Sequence, residues 1–463
     1  MANIKIGLLP LYIKLYDDSA PDARKRVDPF LKKISNKFTE KGIEVVEVPV
    51  CRIEPEFEAA INKFENENVD AIVTLHMAYS PSLESEKALA RTKLPIVVLD
   101  TTENYNFVDT EVAETMYNHG IHGVQDMCNL LIRNNKKFYL EVGHYEKSDV
   151  MDRMVSHLRG IKAAQAMKNQ RVGRFIDSFK GMGDFLVSPK DLKSDLGVEV
   201  IAYDKKLFKK YENMITDAEI EAEIAFDKAN FIDDGLSDEI HREVTKAGLI
   251  IRKWIDDQKL TALTVNFFNA TKESGIPKMP FTECCKAMSR GIGYAGEGDT
   301  LTASLVGSLM SVYDEATFVE MFCPDWEKDI IFLSHMGEVN INLLSEKPIL
   351  SLKPFPYADT GDTAFLRGTY KPGKAVFVNL APMGNGKYSL IISDIEVLNI
   401  KASNGLEEGE CGFFSVGYSI SDFLKKFSLA GGTHHSAMVY GDVKRDIITF
   451  GEELGFKVVD ISK

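Results

Sequence analysis

Glu297 stands in Gly296-Glu-Gly-Asp299, a carboxylate flanked by two glycines just ahead of a segment that reads as a helix from about Thr300 to Tyr313. Glycine on either side lets the backbone bring that carboxylate close to a ligand. Glu320 stands in Thr317-Phe-Val-Glu-Met-Phe322, an apolar run where an unpaired carboxylate is costly to bury, so it calls for a cation or a proton. His335 closes the strand-like run Ile330-Ile-Phe-Leu-Ser334, and Ala430-Gly-Gly-Thr-His-His435 sets two of the nine histidines side by side after a glycine pair. In an extended segment adjacent side chains diverge, so only one of His434 and His435 should face any given ion. Two carboxylates and two imidazoles make a four-ligand set with two positions open, which suits octahedral Mn²⁺ better than Mg²⁺; Co²⁺ or Zn²⁺ also fits. Taken singly, these residues have plainer readings as a solvated loop glutamate or a hydrogen-bonded core histidine. No compact ligand motif such as His-Glu-x-x-His links them.

The elements that must hold these groups follow from periodicity. Up to about residue 170, strand-like runs alternate with helical stripes. Ile4 to Leu9, Ile43 to Val50, Ala71 to Leu75, Ile96 to Leu99 and Phe138 to Val142 read as strands, while Val27, Phe30, Leu31, Ile34 and Phe38 share one helix face and Phe57, Ala60, Ile61 and Phe64 another. Such alternation predicts a parallel sheet covered on both faces, with functional groups in loops at the strand carboxyl ends. A second α/β section starts near Arg171, with strands at Val172 to Ile176, Val198 to Ala202 and Leu260 to Phe268 around a helix containing Ile240 to Trp254. After about Phe322 the runs Ile330 to Leu333, Ala375 to Leu380 and Ser389 to Val397 are separated by Gly, Pro and Asn turns, which predicts a β-rich end. The fold class is therefore α/β: two Rossmann-like parallel-sheet domains, residues 1–170 and 171–325, then a β-rich C-terminal domain, 326–463. Gly291-Ile-Gly-Tyr-Ala-Gly296 spells Gly-x-Gly-x-x-Gly, but Pro280 to Arg290 ahead of it reads as helix where a dinucleotide site requires a strand, which argues against a nucleotide loop.

Composition narrows the partners. The 463 residues suggest about three domains at roughly 150 residues each, and 44% hydrophobic with 27% charged residues is globular composition. Lys and Arg total 55 against 69 Asp and Glu, a formal charge of −14 with no basic patch, so no nucleic-acid partner is expected. No apolar stretch approaches the roughly 20 residues that span a bilayer, the first residues lack a signal-peptide pattern, and the six cysteines form no Cys-x-x-Cys pair. No membrane association and a reducing cytoplasm are expected.

Four segments, Gly293-Tyr-Ala-Gly-Glu-Gly-Asp299, Leu333-Ser-His-Met-Gly-Glu-Val339, Glu346-Lys-Pro-Ile-Leu350 and Leu429-Ala-Gly-Gly-Thr-His-His435, resemble the L-arabinose isomerase family in that order. The resemblance implies two Rossmann-like domains followed by a β-rich one, in trimers or hexamers whose active sites are completed between subunits. It implies that Glu297, Glu320, His335 and His435 hold a divalent metal, Mn²⁺ ahead of Co²⁺ or Mg²⁺, and that His434 contacts the sugar. Asn118-His-Gly-Ile-His-Gly123 is similar to a family segment that reaches a neighbouring subunit's substrate, which makes His122 a candidate; Phe179 and Phe267 fall on substrate-lining positions. Near the first strand the family's Gln-His-Leu-Tyr-Gly is replaced by Pro10-Leu-Tyr-Ile-Lys14. The expected activity is a metal-dependent aldose–ketose isomerisation, L-arabinose to L-ribulose being the family reaction, with Glu297 and Glu320 as the acid/base pair. The alternatives are an isomerase of a fucose-like, galactose-like or anionic hexose, or a non-catalytic sugar-binding module on the same scaffold.

Overall fold

The computed structural model describes residues 3–108, 114–268, 270–400 and 409–462. They form two compact units, Ala2–Lys162 and Ala163–Lys463.

The first unit is built on β1 (Lys5–Leu11), β2 (Glu44–Glu47), β3 (Ala71–His76), β4 (Ile96–Asp100) and β5 (Tyr139–Val142), all parallel in the order β2-β1-β3-β4-β5. Alternation along each strand divides the apolar side chains between two cores. Leu8, Val73, Leu75, Val97 and Leu99 pack on one face with Val27, Phe30, Ile34 and Phe38 of helix Arg24–Glu40. Leu9, Ile72, Ile96 and Val98 pack on the other with Phe57, Ala60, Ile61 and Phe64 of helix Glu54–Asn66. Both faces are covered, as the continuous apolar strands predict. The strand expected over Ile43 to Val50 is shorter, pairing only through Glu44–Glu47.

The second unit continues with β6 (Arg171–Phe175), β7 (Glu199–Ala202), β8 (Ile232–Asp234), β9 (Ala262–Val265) and β10 (Gly293–Gly296). Four of them make a parallel sheet in the order β10-β9-β6-β7. The glycine run at 291–296 does follow a helix, Phe281–Ser289, and its last four residues are β10 itself rather than a phosphate loop. Helix Thr300–Met310 packs against β10 and is buried along its whole length. A Cβ on Gly293 would lie 2.3 Å from the backbone nitrogen of Gly307, so strand and helix touch backbone to backbone. Gly293→Ala is accordingly expected to destabilise the protein by about 1–3 kcal/mol or more through overpacking, read as a lowered denaturation midpoint at unchanged m-value.

The remaining strands are β11 (Ala316–Asp325), β12 (Ile330–Leu333), β13 (Ile349–Lys353), β14 (Thr363–Thr369), β15 (Gly373–Pro382), β16 (Tyr388–Val397), β17 (Glu410–Ser415), β18 (His435–Tyr440) and β19 (Lys457–Asp460). They form a ten-stranded sheet ordered β19-β16-β15-β18-β11-β12-β17-β14-β13-β8. A further β16–β17 pairing closes β16-β15-β18-β11-β12-β17 into an antiparallel ring. Val319, Leu333, Phe377, Ile391, Phe414 and Met438 share its core cluster. The β-rich part thus takes in β11 from Ala316, ahead of the composition change near Phe322, because Ala316–Val319 is fully buried and reads as one more core strand. Among the described residues no helix is long and apolar enough to cross a membrane.

Candidate metal centre

Glu297 is the first residue beyond β10 and adopts φ +61°, followed by Gly298 at +81°. A left-handed backbone at a non-glycine residue is strained and persists only where the surroundings over-determine it. Here they do: the Glu297 N–H donates to the Val265 carbonyl at 2.9 Å, and its own carbonyl accepts from the Phe179 N–H at 2.8 Å. The flanking glycines have a steric cause. A Cβ on Gly296 would sit 2.7 Å from His335 Cε1, and one on Gly298 2.4 Å from Ser178 Cα.

The other groups come from the large sheet. β11 and β18 pair so that Glu320 lies opposite His435. His335 follows the end of β12, with Nε2 3.7 Å from Glu320 Oε2. His435 is fully buried, and its Nε2 is 3.5 Å from Glu297 Oε2. The ligand atoms fall into two sets, Glu297–His434–His435 and Glu320–His335–His435, each within 4.8 Å of one another and sharing His435. The four residues singled out in the sequence as ligands therefore converge. The rings of His434 and His435 do not diverge as an extended segment would have them: their centroids are 4.2 Å apart, and His434 Nε2 also approaches Glu297 Oε2, at 3.6 Å. The reason is that β18 starts only at His435, and Asp184 Oδ2 holds both the backbone N–H and Nδ1 of His434, at 3.0 and 2.6 Å.

Profiles of the L-arabinose isomerase central domain and C-terminal domain match residues 190–315 and 315–457. The chain belongs to the L-arabinose isomerase family. L-arabinose isomerases of Mannheimia succiniciproducens, Cellvibrio japonicus and Shewanella baltica are 24%, 24% and 25% identical to it, covering 86%, 95% and 91% of this chain and 82%, 91% and 86% of their own. It is thus an aldose–ketose isomerase by family. A periplasmic solute-binding protein from Actinobacillus succinogenes with bound D-allose matches over 66% of this chain and 88% of its own at 12% identity, with a TM-score of 0.17.

Within this isomerase family scaffold each histidine has a carboxylate behind it. His335 Nδ1 is 2.7 Å from Glu338 Oε2, which also accepts from the Met336 N–H, while Glu338 Oε1 accepts from the Tyr294 hydroxyl at 2.7 Å. His435 Nδ1 is 3.0 Å from Asp299 Oδ2, whose other oxygen caps helix Thr300–Met310 through the Thr302 N–H. A carboxylate accepts only, so each of these ring nitrogens carries the hydrogen and each Nε2 is turned inward with its lone pair. Asn379 of β15 holds the histidine segment from beneath, its Nδ2 lying 2.8 Å from the His435 carbonyl and 2.9 Å from that of Thr433. Phe318 sets its ring 5.1 Å from His335 and 5.0 Å from His435, at 84° and 77°.

These residues fit a divalent cation. His435 Nε2 is buried, is aimed among carboxylates and makes no hydrogen bond to any described residue, an orphan that a bound ion would satisfy. Burial raises the Glu297 carboxyl, but its interaction with His434, the foremost of the histidines around it, outweighs that and holds it below its ordinary value. For His434 burial opposes the charge, yet the Glu297 carboxylate 3.6 Å away and the hydrogen bond to Asp184 lift its pKa to about 9. Glu338→Gln, which removes the charge behind His335, is expected to weaken Mn²⁺ binding about 10–100-fold, as measured by titration of the metal-free protein.

The structure places Phe179 5.8 Å from Phe267, both near the Glu297 loop through the Phe179 N–H. His122 lies in helix Ile121–Arg133 of the first unit, its ring 5.5 Å from His119. Sequence reading missed Asp299, Glu338 and Asp184. Asp299 and Glu338 stand inside the quoted segments and carried that signal, whereas nothing local marks Asp184.

Proposed function

We propose that this chain interconverts an aldose, L-arabinose first among the candidates, with its ketose, L-ribulose, at a divalent metal held by Glu297, Glu320, His335 and His435. The observation that carries the reading is the buried, unpartnered Nε2 of His435 aimed among the two glutamates and His335. The bound ion, Mn²⁺ foremost, would polarise the two neighbouring sugar oxygens and stabilise the negative charge of the enediolate. Glu297 and Glu320 form the acid/base pair: one carboxylate takes the proton from C2, C1 receives a proton in return, and the hydroxyl hydrogen passes from O2 to O1. His434 directs Nε2 toward the sugar, and Phe179 and Phe267 supply an apolar wall. His122 is read as a contact to the substrate of a neighbouring copy, so the active form is a cytoplasmic homo-oligomer, a trimer or hexamer.

The test is ketose formation from a panel of aldopentoses, aldohexoses, deoxyhexoses and anionic hexoses, using metal-stripped protein resupplied with Mn²⁺. Turnover of one sugar that depends on Mn²⁺ is expected, and it names the substrate. Silence across the panel together with no Mn²⁺ binding overturns the reading. The replacement of the family's Gln-His-Leu-Tyr-Gly by Pro10–Lys14 is the reason for carrying hexoses beside L-arabinose.

A further inference from the structure

β6 ends at Phe175 and the next helix starts at Pro189, and the chain between them returns to the candidate metal centre. Ser178 Oγ donates to the Gly298 carbonyl at 2.8 Å, and the Phe179 N–H to that of Glu297 at 2.8 Å. Further along, two adjacent residues of this loop hold the two adjacent histidines. Asp184 Oδ2 accepts from both the backbone N–H and Nδ1 of His434. The Phe185 ring, 2% exposed, lies 5.1 Å from the His435 ring and 7° from parallel to it. One oxygen accepting from the backbone and the ring of the same residue fixes that ring relative to its own main chain, which a single-point ion pair does not do. With Nδ1 held from behind, Nε2 is left facing Glu297 Oε2.

We propose that Asp184 is a positioning residue of the isomerisation: it fixes the His434 imidazole so that Nε2 faces the sugar, while Phe185 fixes the plane of His435. The assignment rests on the functional reading above for the sugar's place. Asparagine keeps an acceptor for both N–H groups and alanine removes it, so Asp184→Asn and Asp184→Ala separate positioning from charge. In Asp184→Ala, kcat/KM is expected to fall about 10–100-fold, with Mn²⁺ affinity and melting temperature close to wild type and most of the activity retained by Asp184→Asn. On a His434→Ala background the same substitution should cost nothing further, since the two residues act as one unit. A readout free of activity accompanies it: in protein loaded with diamagnetic Zn²⁺ and labelled with ¹⁵N-histidine, the His434 Nδ1 signal, identified by its loss in His434→Gln, should leave its hydrogen-bonded N–H position in Asp184→Ala. A signal unmoved in Asp184→Ala, or additive losses in the double-mutant cycle, overturn the proposal. If the wild type turns over no sugar, the functional reading fails while the ring signal still decides the positioning.

Discussion

Glu297→Gln is expected to lower kcat by about 10²–10⁴-fold, the range lost when a positioned acid or base is removed. Glutamine has the same length and tolerates the same turn, so the φ +61° backbone and its two backbone hydrogen bonds are retained. What disappears is the anionic oxygen that lies 3.6 Å from His434 Nε2 and 3.5 Å from His435 Nε2. An amide takes up no proton at neutral pH, so the step at C2 loses its base or its partner acid, and the ion loses one charged donor. The measurement is kcat under saturating Mn²⁺, with a thermal melt to show that the fold is kept. Undiminished turnover with metal bound removes Glu297 from the chemistry.

His435→Asn is expected to abolish stable metal retention, with Mn²⁺ affinity lowered by well over about 100-fold, because this residue belongs to both ligand sets while an outer partner alone is worth about 10–100-fold. Asparagine is chosen over alanine because Asp299 behind it is fully buried, and without a donor to its Oδ2 only the Thr302 N–H would remain to compensate that charge, which is destabilising. Metal analysis after dialysis gives the result, and near-ultraviolet circular dichroism separates lost metal from lost packing. Wild-type Mn²⁺ content in a folded variant removes His435 from the ligand set.

How much of this was legible in the sequence depends on the range of the forces involved. β1, β3 and β4 announce themselves because strands buried on both faces must be apolar at every position, and the stripes on helices Arg24–Glu40 and Glu54–Asn66 because 3.6-residue periodicity is local. Glu297 was legible from its flanking glycines, whose steric causes are His335 and Ser178, and His335 from its place at a strand end. The pairing of Glu320 with His435 was not, since the β11–β18 register joins residues far apart in the chain and leaves no local trace. The same holds for Asp184, which meets His434 across 250 positions, and for β8, a three-residue strand set by its partner β13 rather than by its own sequence.

The hydrogen bond behind His435 sets the two candidate ligand sets against each other. Its Nδ1 is spent on Asp299, so the ring offers the interior a single lone pair. Two groups of candidate ligands converge on that one atom, and a lone pair cannot be divided between two nuclei. An ion held by one group would therefore take from the other the nitrogen they share, so the two sets compete for His435 instead of filling independently.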